Sequence, residues 1–391
     1  MLFIKITICV FCLIGIISLI FFLFDWIKEF TVWQSRIGIG KFSNTNDWKN
    51  SITERGIKWL KHSPNIPKND NKRLVLWDII KGEHKNSTIQ SWQTAGLLLG
   101  MNSTNHRIEK EDILKIINTY NNTSNIDRAL LAYALIQTNR INNNCIQDID
   151  KFAESTINLI LDTKSNNTTV PYRKSIPEIR FVDTLGLICP FIVAYALNKK
   201  EQTLIYLAQQ QLQEYKSWFH KDLFLPPHAY NTHTNSPIGV YDWGRGIGWY
   251  IIAIIECHRI LLENEIDSKN IFFQYIKNSI LELADIVLKY QKDSGGFSLF
   301  ITDKNGLYES SATVLCGLLF EETFCITKDL KYKEATYKTI TALMSVTKRN
   351  GAIDLCQGDT KGAGFYSTHL GVMPFVQGLG ILLANRYDTH A

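Results

Sequence analysis

Two tryptophans, two tyrosines and one arginine gather around three glycines in Tyr241-Asp242-Trp243-Gly244-Arg245-Gly246-Ile247-Gly248-Trp249-Tyr250, just ahead of an apolar helical run. Glycine lets a backbone come close to something flat. Aromatic faces pack against the C–H surface of a pyranose, and a guanidinium fork pairs with a carboxylate through two hydrogen bonds. That set of groups suits a sugar acid. The competing reading is a structural turn with the tryptophans in the core and Arg245 on the surface at a helix start. The glycines do not form a phosphate loop, which would follow a strand. Upstream, Pro226-Pro227-His228-Ala229-Tyr230-Asn231-Thr232-His233 is a loop whose His228 and Tyr230 can hydrogen-bond sugar hydroxyls. Farther upstream, Asp183 stands at the expected N-cap of an apolar helix, and Asp127 is placed in the same way before Arg128-Ala129-Leu130-Leu131. Capping is the ordinary role of an aspartate there. A carboxyl at the mouth of an apolar helix can also have its pKa raised, which fits a general acid.

The segments VDTLGLICPF, HAYN, WGRGIGW and QKDSGGFSLFITDKNGLYESSATVLCGLLF occur in this order, followed by GAIDLCQGDTKGAGFYSTHLGVMPFVQGLGILLANRY. As a set they resemble the unsaturated glucuronyl and rhamnogalacturonyl hydrolases, glycoside hydrolase families 88 and 105, over most of the chain beyond the N-terminal segment. The resemblance implies an (α/α)6 toroid with a pocket at one end of the barrel. It also implies a carbohydrate substrate with a 4,5-unsaturated uronic acid at its non-reducing end. The implied reaction is hydration: a carboxylic acid protonates C4 of the enol ether, water adds at C5, and the hemiketal opens with loss of the aglycone. By this carry-over Asp183 is the general acid/base and Asp127 the second acid. His228, Trp243, Arg245 and Trp249 lie in the pocket, with Tyr230 and Gly246 beside them as further substrate-binding candidates. Physical chemistry agrees, because protonating a carbon near neutral pH needs an undissociated acid, which apolar surroundings supply.

Two departures bear on the sugar recognised. Ile247 stands where the family often has Asn, and Asn231 where Asp is common; both are expected to remove a polar group from the pocket. Glu309, in Tyr308-Glu309-Ser310-Ser311-Ala312, matches a family motif and either touches substrate or braces the next helix. Two other readings stay open: a non-catalytic glycan-binding protein on the same scaffold, and an (α/α)6 glycosidase for saturated sugars.

These residues need a frame. From Ile52 to Leu383 about a dozen segments place apolar residues at intervals of three and four, and few alternate with period two, so the body is all-α. With 45% hydrophobic and 20% charged residues it can bury a large core. The 42 Lys and Arg against 37 Asp and Glu are spread along the chain, and the net +5 leaves no nucleic-acid footprint. No cofactor is expected. No metal is expected either, since the histidines and cysteines lack ligand spacing; His228 with His233 comes nearest. The cysteines read as free thiols: Cys9 and Cys12 in the apolar N-terminal run, then Cys145, Cys189, Cys257, Cys316, Cys325 and Cys356. Asn-x-Ser/Thr triplets at Asn86, Asn102, Asn121, Asn122, Asn166 and Asn167 read as chance matches in an Asn-rich chain.

Ile6–Phe24 carries no charge and is long enough to cross a bilayer of roughly 30 Å at about 1.5 Å per residue. Asp25 and Trp26 follow it rather than a small-x-small cleavage site, so an uncleaved anchor is expected, with Trp26 and Trp33 near the interface. The expected organisation is a membrane span at 1–24, a connector at 25–50 and the catalytic toroid at 51–391. Lys5 before the span and Lys28, Arg36 and Lys41 after it leave orientation undecided by charge. An extracytoplasmic site is favoured.

Overall fold

The computed structural model describes residues 1–85, 88–141, 146–164 and 169–389. Cys145, Asn86, Asn166 and Asn167 lie outside the described residues. The helices are α1 (Leu2–Ser35), α2 (Thr45–Lys61), α3 (Val75–Ile80), α4 (Ser91–Asn102), α5 (Lys110–Tyr120), α6 (Arg128–Ile141), α7 (Gln147–Thr163), α8 (Val182–Lys199), α9 (Gln202–Lys216), α10 (Gly244–Glu263), α11 (Ile271–Leu288), α12 (Ser310–Thr327), α13 (Leu330–Ser345) and α14 (Pro374–Thr389). The strands are β1 (Ile179–Phe181), β2 (Ala229–Asn231), β3 (Ser236–Ile238), β4 (Cys356–Gln357) and β5 (Leu370–Gly371).

Helices α4, α6, α8, α10, α12 and α14 form an inner ring, each packed on the next, and α14 closes on α4. Outside it α2, α7, α9, α11 and α13 pack against the ring, and α5 packs on α7 with its Tyr120 hydroxyl 2.8 Å from that of Thr94 in α4, completing the expected (α/α)6 toroid. The sequence separates the two layers. Inner helices are buried on every side, as in α4, which is buried from Ser91 to Met101. Outer helices bury one stripe, as α5 does with Ile113, Ile116, Ile117 and Tyr120.

Ring closure depends on glycine. A Cβ at Gly100 would lie 2.1 Å from the Gly378 carbonyl oxygen, and one at Gly378 would lie 2.0 Å from that of Gly96, so α4 and α14 meet backbone to backbone. Gly378→Ala must push the two helices apart. Its better helix propensity returns only about 1 kcal/mol, whereas overpacking costs up to about 3 kcal/mol or more. A lowered unfolding midpoint in chemical denaturation is therefore expected.

The stretch expected as a connector is built into the fold. Helix α1 runs on to Ser35, and α2 begins at Thr45. Asp25, buried in α1, accepts hydrogen bonds from the backbone of Leu74 (2.8 Å) and Val75 (3.0 Å) at the start of α3. Arg36 Nε reaches the buried Asp354 carboxylate at 2.7 Å, and its Nη2 the Leu370 carbonyl at 3.0 Å. Asn102 is tied inside the toroid, donating to Ala134 O at 3.1 Å and accepting from Thr138 at 3.0 Å, so it is no glycan acceptor.

Candidate active site

The short antiparallel sheet β1-β2-β3 brings two distant parts of the chain together. Phe181 pairs with Ala229, and Val182 N donates to His228 O at 2.9 Å. Strand β1 runs straight into α8, whose second residue is Asp183, so this pairing sets His228 Nε2 3.6 Å from Asp183 Oδ2. Asp183 does not cap its helix. The N-cap position is Phe181, with no side-chain cap, and Asp183 Oδ2 is buried without a hydrogen-bond partner. Burial pushes its carboxyl up to about 6, against weaker opposing effects of its own backbone amide, the Arg245 charge and the Trp249 side chain.

His228 is held neutral. Burial, helped by the Arg245 charge, lowers its pKa to about 3, so its contact with Asp183 is no ion pair. Tyr366 Oη accepts from Val240 N at 3.2 Å and lies 3.2 Å from His228 Nδ1. With Tyr366 donating to Nδ1, the imidazole proton would sit on Nε2, facing Asp183.

Asp183 and His228 lie in a cleft of about 320 Å³ whose apolar walls are Trp92, Tyr172, Phe181 and Trp249. Trp249 meets Trp92 edge-on, with ring centres 5.5 Å apart. The polar lining adds Gln90, Arg173, Arg245, Asp359 and Lys361. A second cleft of about 310 Å³ shares Gln90 and Asp359 with the first.

Arg245, the residue expected to pair with a substrate carboxylate, borders the cleft, with part of its guanidinium engaged by the protein. Nη1 donates to Gln357 O at 2.7 Å and Nη2 to Gly358 O. Arg245 is a positioning residue that pins the loop presenting Asp359, and its charge opposes the burial that raises both Asp183 and Asp359. Glu309 braces the same loop. Buried at the N-cap of α12, it accepts from Ser311 N (3.0 Å), Ala312 N (2.7 Å) and Gln357 N (2.8 Å).

Three further candidates lie behind the cleft. Trp243 is buried, donates from Nε1 to Gln357 Oε1 at 2.9 Å and backs His228, with ring centres 4.3 Å apart. Gly246 makes room for that ring, since a Cβ there would meet Trp243 at 2.5 Å. Tyr230 stacks on Trp218 at 4.7 Å and donates to Glu214 at 2.7 Å, so its hydroxyl does not serve the cleft. The two departures also leave the cleft lining untouched. Ile247 is in the core, and Asn231 Oδ1 turns the β2–β3 hairpin by accepting from His233 N (2.8 Å) and Thr234 N (3.1 Å).

Asp127 is buried just before α6, where the backbone amides of Asp127 and Arg128 donate to its carboxyl; burial pushes it up to about 6. Its electrostatic neighbours Tyr172, Arg173 and Asp359 all line the cleft. Sequence reasoning missed Trp92, Arg173 and Asp359 as site residues. The signal for Asp359 was in plain view as a Gly-Asp-Thr step in a loop between apolar segments.

A sequence profile describing Glycosyl Hydrolase Family 88 matches residues 79–388. The chain belongs to that family. Solved structures agree on the fold of this family 88 chain. A possible member of glycoside hydrolase family 105 from Salmonella enterica serovar Paratyphi A superposes with a TM-score of 0.72 at 16% identity, covering 90% of this chain and 96% of its own. The unsaturated glucuronyl hydrolase of Bacillus sp. GL1, described as responsible for the degradation of glycosaminoglycan, gives 0.66 at 15% identity, covering 92% and 97%. A family 88 glycosyl hydrolase from Bacteroides vulgatus gives 0.61 at 13%, covering 87% and 99%. No curated protein matches the chain by sequence.

Proposed function

We propose that this family 88 hydrolase acts on oligosaccharides ending in a 4,5-unsaturated uronic acid, with Asp183 protonating C4 of the enol ether. The observation that carries this reading is an aspartate that lines an aromatic-walled cleft, with its carboxyl raised to about 6 by burial and its Oδ2 3.6 Å from His228 Nε2. As C5 gains positive charge, the carboxylate formed at Asp183 takes a proton from the incoming water, aided by neutral His228. The hemiketal then opens and the aglycone leaves. Membership of the family supports the substrate class.

The uronate carboxylate meets the exposed cations at the rim, Arg173 and Lys361. Arg173→Gln is expected to raise KM about tenfold with kcat little changed, as for an interaction made equally in ground and transition states. Loss of enol-ether ultraviolet absorbance, followed for the full chain with unsaturated disaccharides, tests the activity. Saturable sugar binding without any loss of absorbance would contradict it.

Helix α1 is long and apolar enough to span a membrane, and its side chains from Leu2 to Leu23 are largely exposed. We infer an uncleaved anchor, because Asp25, Lys28 and Arg36, just past the apolar run, are bonded to α3, His84 and Asp354 of the body. Such a tether suits a polysaccharide of the cell envelope on the extracytoplasmic side.

A further inference from the structure

Helix α3 is a six-residue apolar segment that the toroid does not use. Leu74, Trp77, Ile79 and Ile80 are 56%, 47%, 42% and 64% exposed, a contiguous apolar face of a kind that soluble surfaces rarely leave uncovered. Its position is fixed from α1. Asp25 accepts from the backbone amides of Leu74 and Val75, and Phe21 meets the Trp77 ring edge-on at 6.5 Å between centres. Leu74 is held in the left-handed region, with φ 55°, by this docking. The contacts fall on Phe21, in the last turn of the uncharged run, and on Asp25, the residue just after it, so α3 lies at the level where that run ends.

Charge marks the same surface. Lys68, Lys72, Arg73, Lys81 and Lys85 are exposed around α3. Asp78 is buried and accepts from Asn71 at 2.8 Å, while Asp70 is bound to Ser367 at 2.6 Å and to Thr368 N at 2.8 Å. Glu83 is the remaining exposed acid in this stretch. An apolar strip bordered by lysine and arginine, continuous with an apolar span, is the pattern of an element lying in the headgroup layer. Such elements bury about 5–10 Å into the boundary, and their basic residues draw them to anionic lipid.

We propose that α3 is a membrane-resting element, with Trp77, Ile79 and Ile80 inserted among the headgroups of an anionic bilayer beside α1. The proposal rests on the reading of α1 as an anchor. It carries a consequence for the active site: Asp70, five residues before Val75, holds Ser367 and Thr368, and the neighbouring Tyr366 orients His228. The loop over the cleft is thereby tied to the membrane footing, and the substrate would be met close to the bilayer surface.

Tryptophan quenching by lipids brominated near the headgroup tests it, using the full chain in vesicles of phosphatidylcholine and phosphatidylglycerol. The difference in emission between wild type and Trp77→Phe isolates Trp77. This difference signal is expected to lose most of its intensity to the brominated lipid and little to aqueous iodide. Ile80→Glu, at an exposed position, is expected to weaken that quenching. A Trp77 signal open to iodide and untouched by bromolipid overturns the proposal. One shielded from both overturns it too, because a protein partner would then cover the patch. Flotation of wild type with the vesicles after an alkaline wash separates the two readings. A chain that floats with Trp77 unquenched refutes the α3 footing alone, and a chain that does not float refutes the anchor and the footing with it.

Discussion

Asp183→Asn is expected to lower kcat by about 10⁴-fold, the upper end of what a general acid contributes, because Asp183 is the acid proposed to give C4 its proton. KM should change little, since the amide keeps the shape of the carboxyl. With Asp183 titrating at about 6, wild-type kcat/KM should fall about tenfold per pH unit on the alkaline side. A rate in Asp183→Asn within a few-fold of wild type would remove Asp183 from the chemistry.

Asp127→Asn carries the second large effect, and it divides activity from stability. Activity should drop about 10²-fold, because Asp127 lies within electrostatic reach of Arg173 and Asp359 in the cleft. Stability should move the other way. The folded chain holds this carboxyl near 6 against an ordinary 3.8, so it binds more protons than the unfolded chain between those values. Its stability therefore falls as pH rises through this window and stays lowered above it, by up to about 3 kcal/mol. Asparagine removes that penalty and still accepts from the two backbone amides. Asp127→Asn should thus unfold later than wild type at pH 7 and match it near pH 4. Asp183→Asn should gain less, because Asp183 Oδ2 has no hydrogen-bond partner and the new NH2 would be buried unpaired. Greater stability with full activity would assign Asp127 a purely structural place.

The helical frame was legible because the inner and outer helices carry their burial in their patterns: α10 has a long apolar run from Ile247 to Ile255 and α5 a single stripe. Asp183, His228 and Trp249 were legible because each sits in a distinctive short motif, and the structure brings all three to one cleft. Other features were not written locally. Strand β1 has three residues, too few to show a period, yet its pairing with β2 brings His228 beside Asp183. The family resemblance put Trp243 in the pocket, with Tyr230 and Gly246 beside it. Stacking on Trp218, support of His228 and space for the Trp243 ring turn them elsewhere. Arg245 looked free because the carbonyls that occupy it lie more than a hundred residues away. Trp92 and Asp359 enter the cleft from distant segments, so only the closed ring reveals them.

Hydration at C4=C5 is tested most directly by proton NMR of turnover in deuterium oxide, following the vinyl proton at C4 and the released aglycone together. Hydration driven by Asp183 predicts that the vinyl signal disappears no later than the aglycone appears, with one deuterium delivered to a single face of C4. Aglycone released while the vinyl signal persists would mean direct displacement at the anomeric carbon and would contradict the mechanism.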